Sequence, residues 1–175
     1  MHYKICIEDR HYNNYNFFNN KTLRKPDIQP KIDAIKNKLF NHDIINFVDD
    51  KCVLLHSTIR SSILPGILVL ENNIRYGLTK TKKPRYLYKC IPDDKRLPEF
   101  LVPFNIKMGF TKKHKNIYII FKFEKWDETM KHPRGICMQN LGEVTHLNSF
   151  YEYQLYCKSL YASITQFNRE TMKKL

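Results

Sequence analysis

Basic and aromatic side chains are interleaved between Arg75 and Trp126. Lys and Arg number 16 between Arg75 and Arg134 against 6 Asp and Glu, so this third of the chain carries most of its net charge of +13. Cations neutralise phosphates and aromatic rings stack on bases, and the pattern therefore predicts binding of a single-stranded nucleic acid. The alternative explanation of the charge is solubility alone.

The candidate binding side chains lie on predicted strands and on two basic loops, at 79–84 and 111–116. They are Arg75, Tyr76, Lys80, Lys82, Lys83, Arg85, Tyr86, Tyr88, Lys89, Lys112, Lys113, Lys115, Lys122 and Trp126. The loop lysines would contact phosphate, or else form solvated charge runs. Successive strand residues point to opposite faces, so we expect about half of the strand candidates to lie in the core.

The one tryptophan, Trp126, ends the longest predicted strand. It is either a buried cap over one mouth of a barrel or an exposed platform for a base. Phe121 and Phe123 predict a dense core beneath it, which favours the cap.

Catalytic and metal-binding patterns are weak. The acidic pairs Glu8-Asp9, Asp49-Asp50 and Asp93-Asp94 stand in or beside predicted turns, and none forms the cluster that magnesium-dependent hydrolysis needs. His132 and Cys137 could form a nucleophile pair, but a buried strand cysteine is the favoured interpretation. We predict no catalytic residue, metal ligand or cofactor in this sequence.

Length and composition indicate one domain or two small ones in 175 residues. The five cysteines are odd in number and widely spaced, which predicts reduced thiols. No signal peptide and no apolar run long enough to span a membrane is visible, so we expect a soluble, cytoplasmic protein without a membrane partner.

Short alternating runs separated by Gly, Pro, Asn or Lys predict a mostly β protein with some helix. Strands are expected at 3–8, 44–48, 52–56, 66–71, 74–78, 85–92, 117–126 and 135–141, with a short edge strand around Pro103. Residues 11–20 and 57–62 are expected to be a loop and a connector, and 31–40 a helical turn. A helix at 150–160, capped by Asn148 or Ser149 with an apolar stripe of Phe150, Tyr153, Leu155, Tyr156 and Leu160, and a second at 164–172 complete the chain.

Several motifs occur in a specific order along residues 65–160. A turn holds Pro92, Asp94, Arg96 and Pro98, and further on stand Trp126, Pro133, Gly135, Leu141 and Gly142. Gly66, Leu68, Tyr76 and Gly77 precede them, and the run 39–45 contains Asn41-His42-Asp43. This order resembles the second cold-shock domain of the ribonuclease II / ribonuclease R family, which includes the exosome catalytic subunit. The family has His-Gly where this chain has Asn41-His42. These motifs are most similar to the versions of the family that large DNA viruses carry, and that resemblance implies a protein located in the host cytoplasm.

The resemblance implies an oligonucleotide-binding (OB) barrel at 58–145, a truncated first cold-shock unit at 1–57 and a helical tail at 146–175 that leads toward a catalytic domain. In this fold the bound strand crosses the second and third strands and the adjoining loops. Single-stranded RNA is the implied partner, and Mg²⁺ enters only if a catalytic domain is supplied. Three hypotheses stay open. The chain is an RNA-binding module that acts alone or feeds RNA to a separate catalytic polypeptide, a piece of an active 3′–5′ exoribonuclease, or a structural protein without nucleic acid.

Overall fold

The computed structural model describes residues 2–48, 51–106, 114–160 and 170–173. Within these residues the elements in chain order are β1 (Tyr3–Ile7), β2 (Tyr15–Asn19), β3 (Ile44–Val48), β4 (Lys51–His56), α1 (Thr58–Ser61), β5 (Ile63–Leu68), β6 (Tyr86–Pro92), β7 (Phe100–Phe104), β8 (Ile117–Lys125), β9 (Arg134–Glu143) and α2 (Leu147–Cys157). No helix in the described ranges is both long and apolar enough to cross a membrane.

The second half of the chain forms a closed barrel in the strand order β5-β6-β7-β9-β8. Neighbouring strands are antiparallel except β7 and β9, which run parallel and meet at Leu101 and Arg134. Five strands in this order, with one parallel pair, form an OB barrel. The predicted fold class is therefore confirmed.

Large apolar side chains fill the barrel. Phe100, Val102, Ile119 and Phe121 are almost completely buried. The ring of Phe121 needs a glycine beside it, because a Cβ on Gly135 would lie 2.8 Å from its Cδ2 atom. This contact gives the glycine of the Pro-x-Gly motif a packing role.

The first half forms an open four-stranded sheet in the order β2-β1-β3-β4. Ile5, Ile7, Phe17 and Ile45 form its buried face. The segment 31–40 covers that face, and its last residue, Phe40, extends into the barrel. There the Phe40 ring lies 5.1 Å from Trp126 and 5.5 Å from Phe123 between ring centroids. The sheet and the barrel therefore share one hydrophobic core.

The barrel has two different ends. At the junction end, β6 finishes at Pro92 and β8 at Lys125, and the four-stranded sheet packs there. Arg10 of the first half donates through Nη2 to the Pro92 carbonyl at 2.8 Å, and Lys38 Nζ to the Met130 carbonyl at 2.9 Å. At the loop end, β6 and β8 begin and β5 and β7 finish, as the antiparallel register shows.

Three predictions of strand and loop were wrong. The asparagine-rich run 11–20 contains β2, which pairs along its full length with β1. Residues 74–78 form a connecting segment, with a single bridge from Leu78 to Tyr86, because Gly77 has a positive φ of 114°. Residues 57–62 contain the short helix α1. The strand expected at 66–71 lies three residues earlier, as β5.

The strand around Pro103 was predicted to be an edge strand, and this was wrong. As β7 it pairs with β6 on one side and with β9 on the other. A single register pair joins it to β9, so Pro103 removes no donor that a full ladder would need.

The C-terminal helix begins earlier than predicted. Its N-cap is His146, and Ser149 is a buried helical residue instead of a cap. Its buried face consists of Ser149, Glu152 and Tyr153, whereas Phe150 is 39% exposed. The Tyr153 ring stacks on Tyr118 of β8 at 4.3 Å, so α2 covers the outside of the barrel. Most of the second predicted helix, at 164–172, lies outside the described residues.

Candidate nucleic-acid interface

A small hydrogen-bonded loop presents lysines at the loop end of the barrel. Thr79 N–H donates to the Arg85 carbonyl, and Arg85 N–H donates to Thr79 Oγ1, both at 2.9 Å. Thr81 Oγ1 lies 3.2 Å from Thr79 Oγ1 and donates to the Lys83 carbonyl at 2.9 Å. These bonds hold the loop closed on itself, and Lys80, Lys82 and Lys83 are exposed around it.

Arg75 and Tyr86 meet beside this loop. The Arg75 guanidinium carbon lies 4.1 Å from the centre of the Tyr86 ring, and both side chains are exposed. Tyr76 is exposed nearby, with Lys89 Nζ 5.8 Å from its ring centre. Lys89 also bonds Glu99 at 2.9 Å, and this hydrogen bond raises the pKa of Lys89. Lys89 is therefore already neutralised.

The other cations of the segment are available to a ligand. Residues 74–92 hold six Lys and Arg and no Asp or Glu. Among the described residues, Lys89 alone of these six forms an ion pair. Arg75, Lys80, Lys82, Lys83 and Arg85 thus form an exposed cationic surface, which we call the basic surface.

Two candidates lie in the core instead. Tyr88 is 2% exposed because it points into the barrel. Trp126 is 7% exposed, and its Nε1 donates to the Met130 carbonyl at 3.1 Å. Its burial against Phe40 is what the cap interpretation predicts, and the ring offers no open face to a base.

The remaining lysines divide between the two ends. Lys115 is exposed at the loop end, just before β8. Lys122 is exposed on β8 but pairs in register with Ile63 and Ile136, toward the junction end and away from β6. The structure therefore does not bring Lys122 to the basic surface. Lys112 and Lys113 lie outside the described residues.

Three carboxylates of the acidic pairs have partners within the fold, and Asp49 and Asp50 lie outside the described residues. Asp94 pairs with Arg96 at 2.9 Å, and Asp93 accepts a hydrogen bond from the Tyr153 hydroxyl at 3.4 Å. Asp9 accepts backbone N–H groups of its own turn. No three His, Cys, Asp or Glu side chains are grouped as a metal site in the part of the chain that is described. The described residues therefore do not fit a magnesium centre of the kind that a ribonuclease II/R-like catalytic domain would hold.

The predicted alternative of a Cys137 nucleophile finds no support. Burial raises the pKa of the Cys137 thiol, and its Sγ donates to the Gln139 carbonyl at 3.7 Å. Burial likewise lowers the pKa of His132. Both shifts disfavour a thiolate–imidazolium pair.

Sequence reasoning missed Thr79, Thr81 and Glu99, which shape the site. The threonines alternate with lysines in the run 79–83, and that alternation could have indicated a hydroxyl-pinned loop. The pairing of Glu99 with Lys89 depends on the β6–β7 register, and the local sequence pattern does not predict it.

Residues 87–152 match the family model of the Dis3-like cold-shock domain 2. The barrel matches a Dis3-like cold-shock domain. The match begins within β6 and extends into α2, and it confirms the resemblance to the ribonuclease II/R family in the barrel. No relative was found among curated protein sequences.

Two solved structures share the fold of this barrel and of the sheet before it. Yeast Ssd1, described as a pseudonuclease, has a TM-score of 0.52 and 11% identity over 89% of this chain. The apo form of Mycoplasma genitalium RNase R has a TM-score of 0.51 and 10% identity over 100% of this chain. The chain spans 24% and 27% of those two chains.

Proposed function

We propose that this chain is an RNA-binding module, and that the loop end of its cold-shock barrel binds single-stranded RNA. The observation that carries the proposal is the basic surface, whose five cations have no described ion pair and lie beside two exposed tyrosines. Phosphates would bind the cations, and unstacked bases would bind the tyrosine side of the surface. The similarity to the Dis3-like cold-shock domain supports RNA as the ligand.

Salt dependence tests the electrostatic part of the proposal. If about four phosphates are neutralised, a plot of log K against log salt for labelled oligo-U should have a slope near −3. The measurement is fluorescence anisotropy across a range of salt concentrations. An affinity that stays constant across that range would contradict the proposal.

A matched pair of variants tests where the RNA binds. Lys80, Lys82 and Lys83 changed together to Gln should weaken binding and flatten the salt slope by about 2, since each lost phosphate contact contributes about 0.7. The control changes the exposed Lys21, Lys31 and Lys36 to Gln, which removes the same charge from the four-stranded half. Equal losses in the two variants would indicate attraction by net charge, without a site.

A catalytic partner is the second part of the proposal. The chain spans about a quarter of the RNase R structure that shares its fold, and we propose that the module delivers RNA to a catalytic domain, on the same or on a separate polypeptide. Incubation of the chain with Mg²⁺ and end-labelled RNA should leave the RNA intact. Release of nucleotides that is abolished by substituting Asp93 and Asp94 would show that the chain has its own active centre.

A further inference from the structure

The Arg75 guanidinium lies over an aromatic ring at the loop end. Its guanidinium carbon is 4.1 Å from the Tyr86 ring centre, a stacking distance. The Tyr86 side chain is 40% exposed, and Arg75 is exposed as well. The guanidinium thus contacts the Tyr86 ring on one side, and both side chains stay accessible to solvent.

The backbone fixes this arrangement. Tyr76 N–H donates to the Leu87 carbonyl, and Leu87 N–H donates to the Gly77 carbonyl, both at 2.9 Å. These bonds hold residues 75–77 alongside the first residues of β6. Gly77 has a φ of 114°, a conformation that favours glycine, and it lets the chain turn there. Arg75 is therefore placed over Tyr86 before any ligand arrives, and less side-chain entropy is lost on binding.

Neighbouring cations differ from Arg75 in geometry. Lys80, Lys82 and Lys83 are point charges on flexible stems, suited to phosphate. Arg85 is an exposed arginine for which no ring contact is described. Among the contacts of the described residues, Arg75 is the one member of the basic surface whose guanidinium lies over a ring.

We propose that Arg75 is the base-stacking residue of this site, and that the open face of its guanidinium, backed by Tyr86, binds one nucleobase of the single strand. Arginine planes and aromatic rings both stack on unpaired bases in RNA recognition. The result is a three-layer stack of tyrosine, guanidinium and base. A purine gains more from it than a pyrimidine because its ring system is larger. This inference rests on the proposed function and adds which group contacts the base.

The alternative role of Arg75 is a phosphate contact through its N–H edge. Arg75→Lys separates the two, because lysine keeps the charge and loses the plane. Two probes are needed: oligo-A, and a strand of the same length and charge in which the central nucleotides are abasic. Arg85→Lys is the matched control, and circular dichroism verifies that each variant is folded.

Arg75→Lys should lower the affinity for oligo-A about tenfold and that for the abasic strand less than twofold, whereas Arg85→Lys should change neither by more than about twofold. Tyr86→Leu should reproduce the selective loss on oligo-A. Equal effects of Arg75→Lys and Arg85→Lys on oligo-A would overturn the inference, as would an equal loss on the two strands. Either result would leave the proposed function standing. If the unmodified chain bound neither strand, the proposed function would fail together with the inference.

Discussion

The two ends of the barrel use the same pair of groups for different purposes. At the junction end, the Arg60 guanidinium carbon lies 4.8 Å from the Phe123 ring centre and 5.4 Å from that of Phe40. At the loop end, Arg75 lies 4.1 Å from Tyr86. Arg60 donates through Nη2 to the Lys38 carbonyl at 2.7 Å. Among described residues, Arg75 has the ring contact and no ion pair.

The comparison teaches that an arginine over a ring does not by itself indicate a ligand site. Where the cation is half-buried and donates to a carbonyl inside the protein, as Arg60 does to Lys38, the pair belongs to the core. Where they face solvent beside other unpaired cations, the pair can receive a ligand. Variants at the junction end should therefore change stability and leave RNA affinity intact, and variants at the loop end should do the opposite.

Phe40→Ala should have the largest effect. Phe40 is fully buried between the sheet and the barrel, so its loss should cost about 3–5 kcal/mol of unfolding free energy. Urea unfolding followed by Trp126 fluorescence measures it, because Trp126 packs on Phe40. Phe18→Ala, at a half-buried ring of β2, is the control and should cost much less. A small loss for Phe40→Ala would mean that the halves fold independently.

Asp43 should make the junction end sensitive to pH. Burial raises the pKa of Asp43 to about 6, above the usual value of an unfolded aspartate. This carboxyl therefore favours the folded state most below about pH 4, and its contribution falls by about 3 kcal/mol as pH rises from about 4 to about 6. Urea unfolding of the unmodified chain and of Asp43→Asn at pH 4 and pH 7 measures the difference. A stability gap between the two proteins that is the same at both pH values would contradict the assignment.

His42→Gly should stabilise the chain. His42 has a φ of 68°, in the left-handed region that favours glycine. Relief of this backbone strain, less the extra entropy of an unfolded glycine, should add about 0.5–1 kcal/mol. Thermal unfolding compares it with His42→Ala, which removes the same exposed imidazole without relieving the strain. RNA affinity should not change in either variant.

Glu99→Gln should have the smallest effect, and it should appear in binding. Without its carboxylate partner, Lys89 becomes a further free cation beside Tyr76, and affinity for oligo-U should rise about two- to threefold. The control is Glu124→Gln, which removes the same charge from the ion pair with Arg134 near the junction end. If affinity rose equally in the control, the gain would come from the change in net charge and not from the release of Lys89.

Sequence patterns predicted the elements whose own residues determine them. The long alternating run of β8 and the β3–β4 hairpin fall in this class. The strand β2 was missed because its asparagines are typical of a loop. It is a strand because it pairs with β1, and the local sequence does not show that pairing. The segment 74–78 has strand-like residues, but the positive φ of Gly77 diverts it into a connector.

The sequence indicated which stretch of chain carries the candidate site, but it was less informative about which individual residues are exposed there. Charge and aromatic content pointed to the stretch that forms the basic surface, because that surface is local in sequence. Tyr86 and Tyr88 are two residues apart on β6, so strand alternation places both side chains on the same face. Tyr86 is exposed and Tyr88 is buried because they lie at different heights along the barrel. Lys122 lies far from β6 because of the order of the strands in the barrel. The residue pattern of one strand does not indicate that order.

The seating of Phe40 in the barrel has a consequence for how the chain folds. Its ring partners Phe100, Phe123 and Trp126 are synthesised much later than Phe40 itself. Contacts between residues so distant in sequence raise the contact order, and such chains fold slowly. Until the barrel half has been synthesised, the large apolar side chain of Phe40 stays exposed on the four-stranded half. Such a state is prone to aggregate. Expression of residues 1–57 alone should therefore give insoluble protein, and co-expression with the barrel half should restore its solubility.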